Sequence, residues 1–244
     1  MSNVVTACDH SIHTRHPTLI GVVNVAKLVK ARHDVCLRRS LAEADFIVAD
    51  GAPIVWLSRL CGHGLPERVA GIDIMNALLS LADRKAYSVY FLGAQPEVVE
   101  RAVEHVLRDH PGVRIAGYHD GYFLPEHEQH IAEMVRSSQA DVLLVGMPTP
   151  KKERFLHRWR QHMCVPVCHG VGGSFDIMAG ITRRAPLWMQ RCGLEWLYRV
   201  IQEPRRMWKR YLVTNMVFVW LSLVEIAAHR LGFKKPWQLA ESKK

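Results

Sequence analysis

The chain has 244 residues, 49% of them apolar, a mean hydropathy of −0.03 and a formal net charge of +9. That balance excludes an intrinsically disordered chain, and the length suits one large soluble domain with a C-terminal appendage. The charge is uneven. Residues 151–210 hold 13 Lys/Arg against 4 Asp/Glu, whereas residues 1–150 carry a net −3, so the basic region calls for a phosphate-bearing molecule, an anionic membrane surface or both. No helix-turn-helix, zinc-finger or RNA-binding signature accompanies it, which argues for no nucleic acid partner.

In chain order, residues 1–17 are polar and read as a flexible, frayed N-terminus. His10, His13 and His16 lie there, and no Cys or carboxylate cluster joins them to suggest a metal site. The charged-then-apolar layout of a signal peptide is missing. The six cysteines form no CxxC pair, which fits reduced thiols in a cytosolic compartment. A β-branched run at 18–24 (TLIGVVN) predicts a buried first strand, followed by helix to residue 44. Residues 44–50 (ADFIVAD) predict a second strand, then a helix over 53–60, a glycine-rich loop CGHGLPERVAG and a helix over 72–84. Further strands are expected at 88–94, 113–118, 141–147 and 165–168. Helices are expected between them at 95–110, 125–137 and 151–162. Strands alternating with helices over short connections give a mostly parallel, Rossmann-like α/β sheet flanked by helices, over residues 18–186.

After Pro186 the pattern is helical only, with a break at Glu203-Pro204 because proline fits only the first turn of a new helix. A long helix is expected over 204–231, basic at its start and then apolar through MVFVWLSLV at 216–224. That run is shorter than the ~20 residues a spanning helix needs. It reads as an interfacial helix, with a spanning helix and a packed or dimer-forming helix as the alternatives. Residues 187–244 are therefore a membrane-associating appendage, and a homo-oligomer stays open.

Several side chains are placed for chemistry. Asp50 closes the second predicted strand just before Gly51, where partial desolvation would raise its pKa and make it a general base; the competing role is a turn cap. Gly170, Gly172 and Gly173 follow an apolar run and let backbone amides approach a ligand, or simply make a tight strand-to-helix turn. Asp176 sits just beyond, in reach of the same crevice. Arg68 either anchors phosphate or neutralises Glu67. Asp73 either caps a helix or meets a ligand. Lys151 and Lys152 open a helix after the fifth strand, where they reinforce an anion site or are solvated. Downstream, Trp188, Trp196 and Trp208 alternate with Arg183, Arg184, Arg191, Arg199, Arg205, Arg206, Lys209 and Arg210, a mixture suited to gripping phosphate at an apolar boundary.

Five motifs, ADGAPIVW (49–56), LPERVAGID (65–73), GMPTPKKE (146–153), GVGGSFDIMAG (170–180) and RAPLWMQRCGLEWLYRVIQEPRRMWKRYL (184–212), closely resemble the WecG/TagA/CpsF family of bacterial glycosyltransferases, in the same order over about residues 24–212. The resemblance implies the family's GT-E type fold. It also implies an inverting transfer of a sugar from a UDP-sugar to a polyprenyl-diphosphate-linked saccharide at the cytoplasmic face of the plasma membrane, with no cofactor and no metal required. Carried over by residue, it implies Asp50 as catalytic base and a nucleotide-sugar pocket at Asn24, Arg68, Gly172 and Asp176, and Gly51, Asp73 and Lys152 are expected to bind substrate beside them. Arg199, Arg206 and Arg210 would hold diphosphate. Two positions depart from the family pattern: Val22 stands where many members have Thr, and Lys152 where Gln is commoner, which points to a donor other than N-acetylmannosamine, such as glucose or a uronic acid. A non-catalytic scaffold subunit of a polysaccharide assembly complex is the alternative.

Overall fold

The computed structural model describes residues 1–230. Six strands, β1 (Thr18–Val23), β2 (Phe46–Ala49), β3 (Ser88–Gly93), β4 (Arg114–His119), β5 (Val142–Gly146) and β6 (Val167–Gly170), form one sheet in the order β2-β1-β6-β5-β3-β4. Every pairing is parallel, the architecture expected from the strand-helix alternation. Parallel strands need crossovers, and right-handed crossovers send successive helices to alternate faces as the chain moves left or right. Moves toward β2 place α3 (Val35–Ala42), α7 (Glu128–Ser137) and α8 (Lys151–Met163) together on one face. Moves toward β4 place α5 (Gly71–Lys85) and α6 (Pro96–Asp109) on the other, with α9 (Ser174–Met178) against α6.

Alternation along each strand feeds two cores. Ile20, Val22, Val89, Phe91, Val142, Leu144 and Val167 point into the α5/α6 side, while Leu19, Tyr90, Leu92, Leu143, Val145 and Cys168 point into the α7/α8 side. Because both faces are covered, the central strands are buried throughout, which is why they read as continuous apolar runs.

Two segments differ from the sequence reading. The residues expected to fray instead form α1 (Ser2–Thr14), which buries Cys8 (0% exposed) and Ile12 in the α5/α6 core. Its polar face is also used. Lys85 donates to Asp9 (2.7 Å), Tyr87 donates to Asp9 (2.7 Å), and Arg15 pairs with Asp141 (2.9 Å). The apolar positions Val4, Cys8 and Ile12 are the helical spacing that the histidines masked. The second difference is that the helix expected to reach residue 44 is two helices, α2 (Val25–Ala31) and α3. Asp34 starts the second by accepting the Leu37 amide at 3.0 Å.

The chain divides into two compact units. The first, residues 1–23, 31–50 and 69–184, contains the sheet and both cores. The second, among the described residues 24–30, 51–68 and 185–230, contains α2, α4 (Ala52–Leu60) and three C-terminal helices, α10 (Leu187–Arg191), α11 (Glu195–Gln202) and α12 (Pro204–Arg230). It therefore takes in two segments that the sequence reading assigned to the core. Pro204 starts α12 as expected, and the expected end at residue 231 lies outside the described residues.

Candidate active site

In the sheet-bearing unit the C-terminal ends of all six strands lie on one edge, the edge where open α/β sheets bind ligands. Asp50 leaves β2 there, half-buried, its amide donating to the Val23 carbonyl at 2.7 Å and so prolonging the β1–β2 ladder by one rung. Two strands away, β6 runs out through Gly170, Val171, Gly172 and Gly173. Gly172 has φ +58°, the left-handed region, which answers why the turn carries glycine there. A strand spacing of ~4.8 Å puts Asp50 roughly 10 Å from this turn.

The turn is lined by charge. Lys152, on the first turn of α8, is only 7% exposed. Its stem fills the space a Cβ on Gly170 would need, 3.0 Å from Cε, and its Nζ lies 3.6 Å from a Cβ placed on Gly172. Glu153 Oε1 and Thr149 Oγ1 each lie 3.4 Å from that ammonium. On the other side, Asp176 Oδ2 is 3.3 Å from a Cβ placed on Gly173. The structure thus brings Lys152, Gly172 and Asp176 together around one turn, with Asp50 on the same edge. It also separates the two lysines. Lys151 donates to the carbonyls of Gly121 and Phe123 at 2.9 Å and lies over the Phe123 ring, bracing a loop instead of lining the turn.

Asp73 does not cap α5; its carboxylate meets Arg184 Nη1 at 2.6 Å. Buried His169 (0% exposed) on β6 bonds through Nε2 to the Gly71 carbonyl at 2.9 Å and so ties the start of α5 to the site strand. A histidine inside an apolar strand carries no local signal of this role in the sequence.

The exit of β4 presents a further side chain on the same edge. There Tyr122 is 72% exposed at the tip of a braced loop. Its amide donates to Asp120 Oδ1 (2.7 Å), and the Gly121 amide donates to the Ala94 carbonyl (2.9 Å). The signal was present, since HDGYF repeats the strand-then-Asp-Gly layout of Asp50-Gly51.

In the second unit Asn24 accepts the Lys27 amide at 3.0 Å and caps α2, and Gly51 precedes α4. Arg68, weighed above between phosphate and Glu67, makes an ion pair with Glu195 and donates to the Gln190 carbonyl at 2.7 Å, fastening its loop to α10 and α11. Arg199 is exposed on α11, and Arg206 and Arg210 lie four residues apart on the first turns of α12.

α12 departs from expectation in length of apolar surface. Residues Met207–Ala227, 21 in number with mean hydropathy 1.3, are long and apolar enough to cross a membrane by length and composition, and only 12% of the apolar window is buried. Counting only the run at 216–224 missed the flanking Tyr211, Leu212, Val213 and Ile226-Ala227.

Among the described residues no group of three or more His, Cys, Asp or Glu side chains is placed to hold a metal ion. All six cysteines are free thiols, and burial pushes Cys8 and Cys168 up to about 12, so both stay protonated.

A parallel sheet carrying a glycine turn, a buried ammonium and carboxylates on its C-terminal edge defines an α/β protein with its candidate site at the strand exits. The profile of the Glycosyl transferase WecG/TagA/CpsF family matches residues 1–232, and the chain belongs to that family. It is 41% identical over 172 residues, 70% of this chain and 66% of the relative, to N-acetylglucosaminyldiphosphoundecaprenol N-acetyl-beta-D-mannosaminyltransferase of Bacillus spizizenii. It is 35% identical over 215 residues, 86% of this chain and 83% of the relative, to the protein of the same name from Bacillus subtilis. The first alignment spans just under two thirds of that relative's length.

Proposed function

We propose that the protein is an inverting glycosyltransferase that moves a hexose or hexosamine from a UDP-sugar to a saccharide carried on undecaprenyl diphosphate, working as a peripheral protein at the cytoplasmic face of the plasma membrane. The observation that carries this reading is the shared edge: a carboxylate at the exit of β2 and, roughly 10 Å along, a glycine turn flanked by Lys152 and Asp176. The names of the two relatives supply the acceptor class.

In the reaction Asp50 takes the proton from the acceptor hydroxyl as that oxygen attacks the anomeric carbon. The bond from that carbon to the β-phosphate oxygen breaks, and UDP leaves with the electron pair. Negative charge grows on the leaving phosphate, so cations fixed around it stabilise the transition state more than the ground state. Lys152, beside the glycine turn, takes that role, and the family resemblance assigns diphosphate to Arg199, Arg206 and Arg210. The exposed Tyr122 ring offers a stacking surface for a ring of the donor.

Membrane contact falls to α12. Its Tyr211, Thr214 and Phe218 turn inward and Tyr211 meets Trp196 of α11 at 5.8 Å, while Leu212, Val213, Met216, Val219, Trp220, Leu223 and Val224 are exposed. A helix packed along one side and apolar along the other fits one lying on the bilayer better than one leaving α11 to cross it. Arg205 and Lys209, exposed at its start, suit anionic headgroups.

The test is UDP release from a panel including UDP-N-acetylmannosamine, UDP-glucose and UDP-uronic acids, with an undecaprenyl-diphosphate-linked N-acetylglucosamine acceptor. Asp50→Asn should lower kcat by about 10²–10⁴ without moving the melting temperature, the range for loss of a general base. An Asp50→Asn enzyme with wild-type turnover would refute the mechanism, and no release from any donor would refute the assignment.

A further inference from the structure

Among the described residues, most exposed large apolar side chains lie in the second unit, and they are not confined to the C-terminal helices. α4 buries Ile54 and Val55 and turns Trp56 (54% exposed) and Leu60 (56% exposed) outward. The two are four residues apart, hence neighbours on one helical face. Arg59 is exposed beside them, and α4 contains no acidic residue. α4 also packs on the turn between α10 and α11: a Cβ on Gly193 would lie 2.8 Å from the Ala52 Cβ and 3.9 Å from the Trp56 ring. That turn carries exposed Trp188 on one side and exposed Trp196 on the other. An apolar face with indole and guanidinium groups, on a helix without acidic residues and beside a turn whose carboxylate Glu195 is paired with Arg68, matches an anionic bilayer surface.

Resting on the membrane-enzyme reading above, we propose that α4 is a second bilayer contact, with Trp56 and Leu60 entering the headgroup boundary and Arg59 facing anionic lipid. The consequence is positional. α4 begins two residues after Asp50, so seating it on the bilayer brings the exit of β2 to the surface where a lipid-linked diphosphate displays its sugar.

The experiment uses the full chain and vesicles of phosphatidylcholine with phosphatidylglycerol. Trp56→Gln with Leu60→Gln should weaken vesicle cosedimentation about tenfold or more, the scale for withdrawing two large apolar side chains from an apolar phase. It should raise KM for vesicle-borne acceptor and leave KM for UDP-sugar and the melting temperature unchanged. Leu107→Gln, at a leucine 47% exposed on α6 of the other unit, should behave as wild type. Independently of any folding effect, brominated lipid should quench wild-type tryptophan fluorescence more than that of Trp56→Phe, which should otherwise bind and turn over like the parent. Equal vesicle binding by the double variant, or equal quenching of wild type and Trp56→Phe, overturns the proposal. Vesicle binding that is intact in the wild type without UDP release from any donor refutes the transferase reading instead, and the binding and quenching arms then judge the α4 contact alone.

Discussion

At Gly172 the backbone, not the side chain, sets what the residue can be. A Cβ there would make only an ordinary 3.6 Å contact with the Lys152 ammonium, so space is not the obstacle; the φ of +58° is. An L-residue in that region costs on the order of 1–2 kcal/mol. Gly172→Ala is expected to lower the melting temperature by about 2–8 °C, given a few degrees per kcal/mol for a chain of this size. On the transferase reading proposed above, affinity for UDP should fall as well, because a relaxed turn no longer sits against Lys152. A melting temperature equal to wild type in a thermal scan would show that the turn relaxes at no cost. The residue scale is also where reading from sequence was least complete. Asp50, Lys152, Gly172 and Asp176 could be named from the chain because each stands at a strand exit. The partner of Arg68 could not, since Glu195 lies 127 positions away and its nearer neighbour Glu67 offered the same charge.

At the scale of elements, α1 shows how an end that looks frayed is fixed by long-range contacts. Asp9 is held below the usual carboxylate range, chiefly by the hydrogen bond from Lys85, with Tyr87 and His13 adding to it against the cost of burial. Tyr87 is pushed up to about 12, first by burial, then by its hydrogen bond to Asp9 and by the charges of Asp9 and Asp141. The signs follow from linkage. Asp9 binds its proton less tightly folded than unfolded, so its contribution is present above the unfolded value of ~3.9 and is lost as pH falls through the lower folded value. Tyr87 binds its proton more tightly when folded, so its contribution is complete below the unfolded value of ~10 and declines as pH rises toward about 12. Tyr87→Phe is therefore expected to lose about 1 kcal/mol at pH 8, one hydrogen bond's worth, and to show a flatter fall in stability between pH 10 and 12. Urea titrations across that range measure both, and parallel alkaline slopes for the two proteins would contradict the assignment of that titration to Tyr87.

At the scale of the molecule, both hydrophobic cores consist of residues from the sheet-bearing unit alone. Removal of residues 204–244 is accordingly expected to leave a cooperative thermal transition for the sheet, while transfer to a vesicle-borne acceptor is lost along with α12 and its arginines. Full transfer by the truncated protein would refute the role given to the tail.

The sequence by itself determined the parallel α/β architecture, its six strands and which polar side chains stand at the strand exits, because those follow from local periodicity and from glycine and proline chemistry that a single stretch of chain records. Only the tertiary structure decided that α1 docks, that Asp73 pairs with Arg184, that Lys152 and not Lys151 lines the glycine turn, and that α4 shares a unit with the C-terminal helices. Each of those depends on what lies across space from a residue: two lysines adjacent in the chain point about 100° apart around a helix, and their neighbours are fixed by packing that no short window of sequence contains.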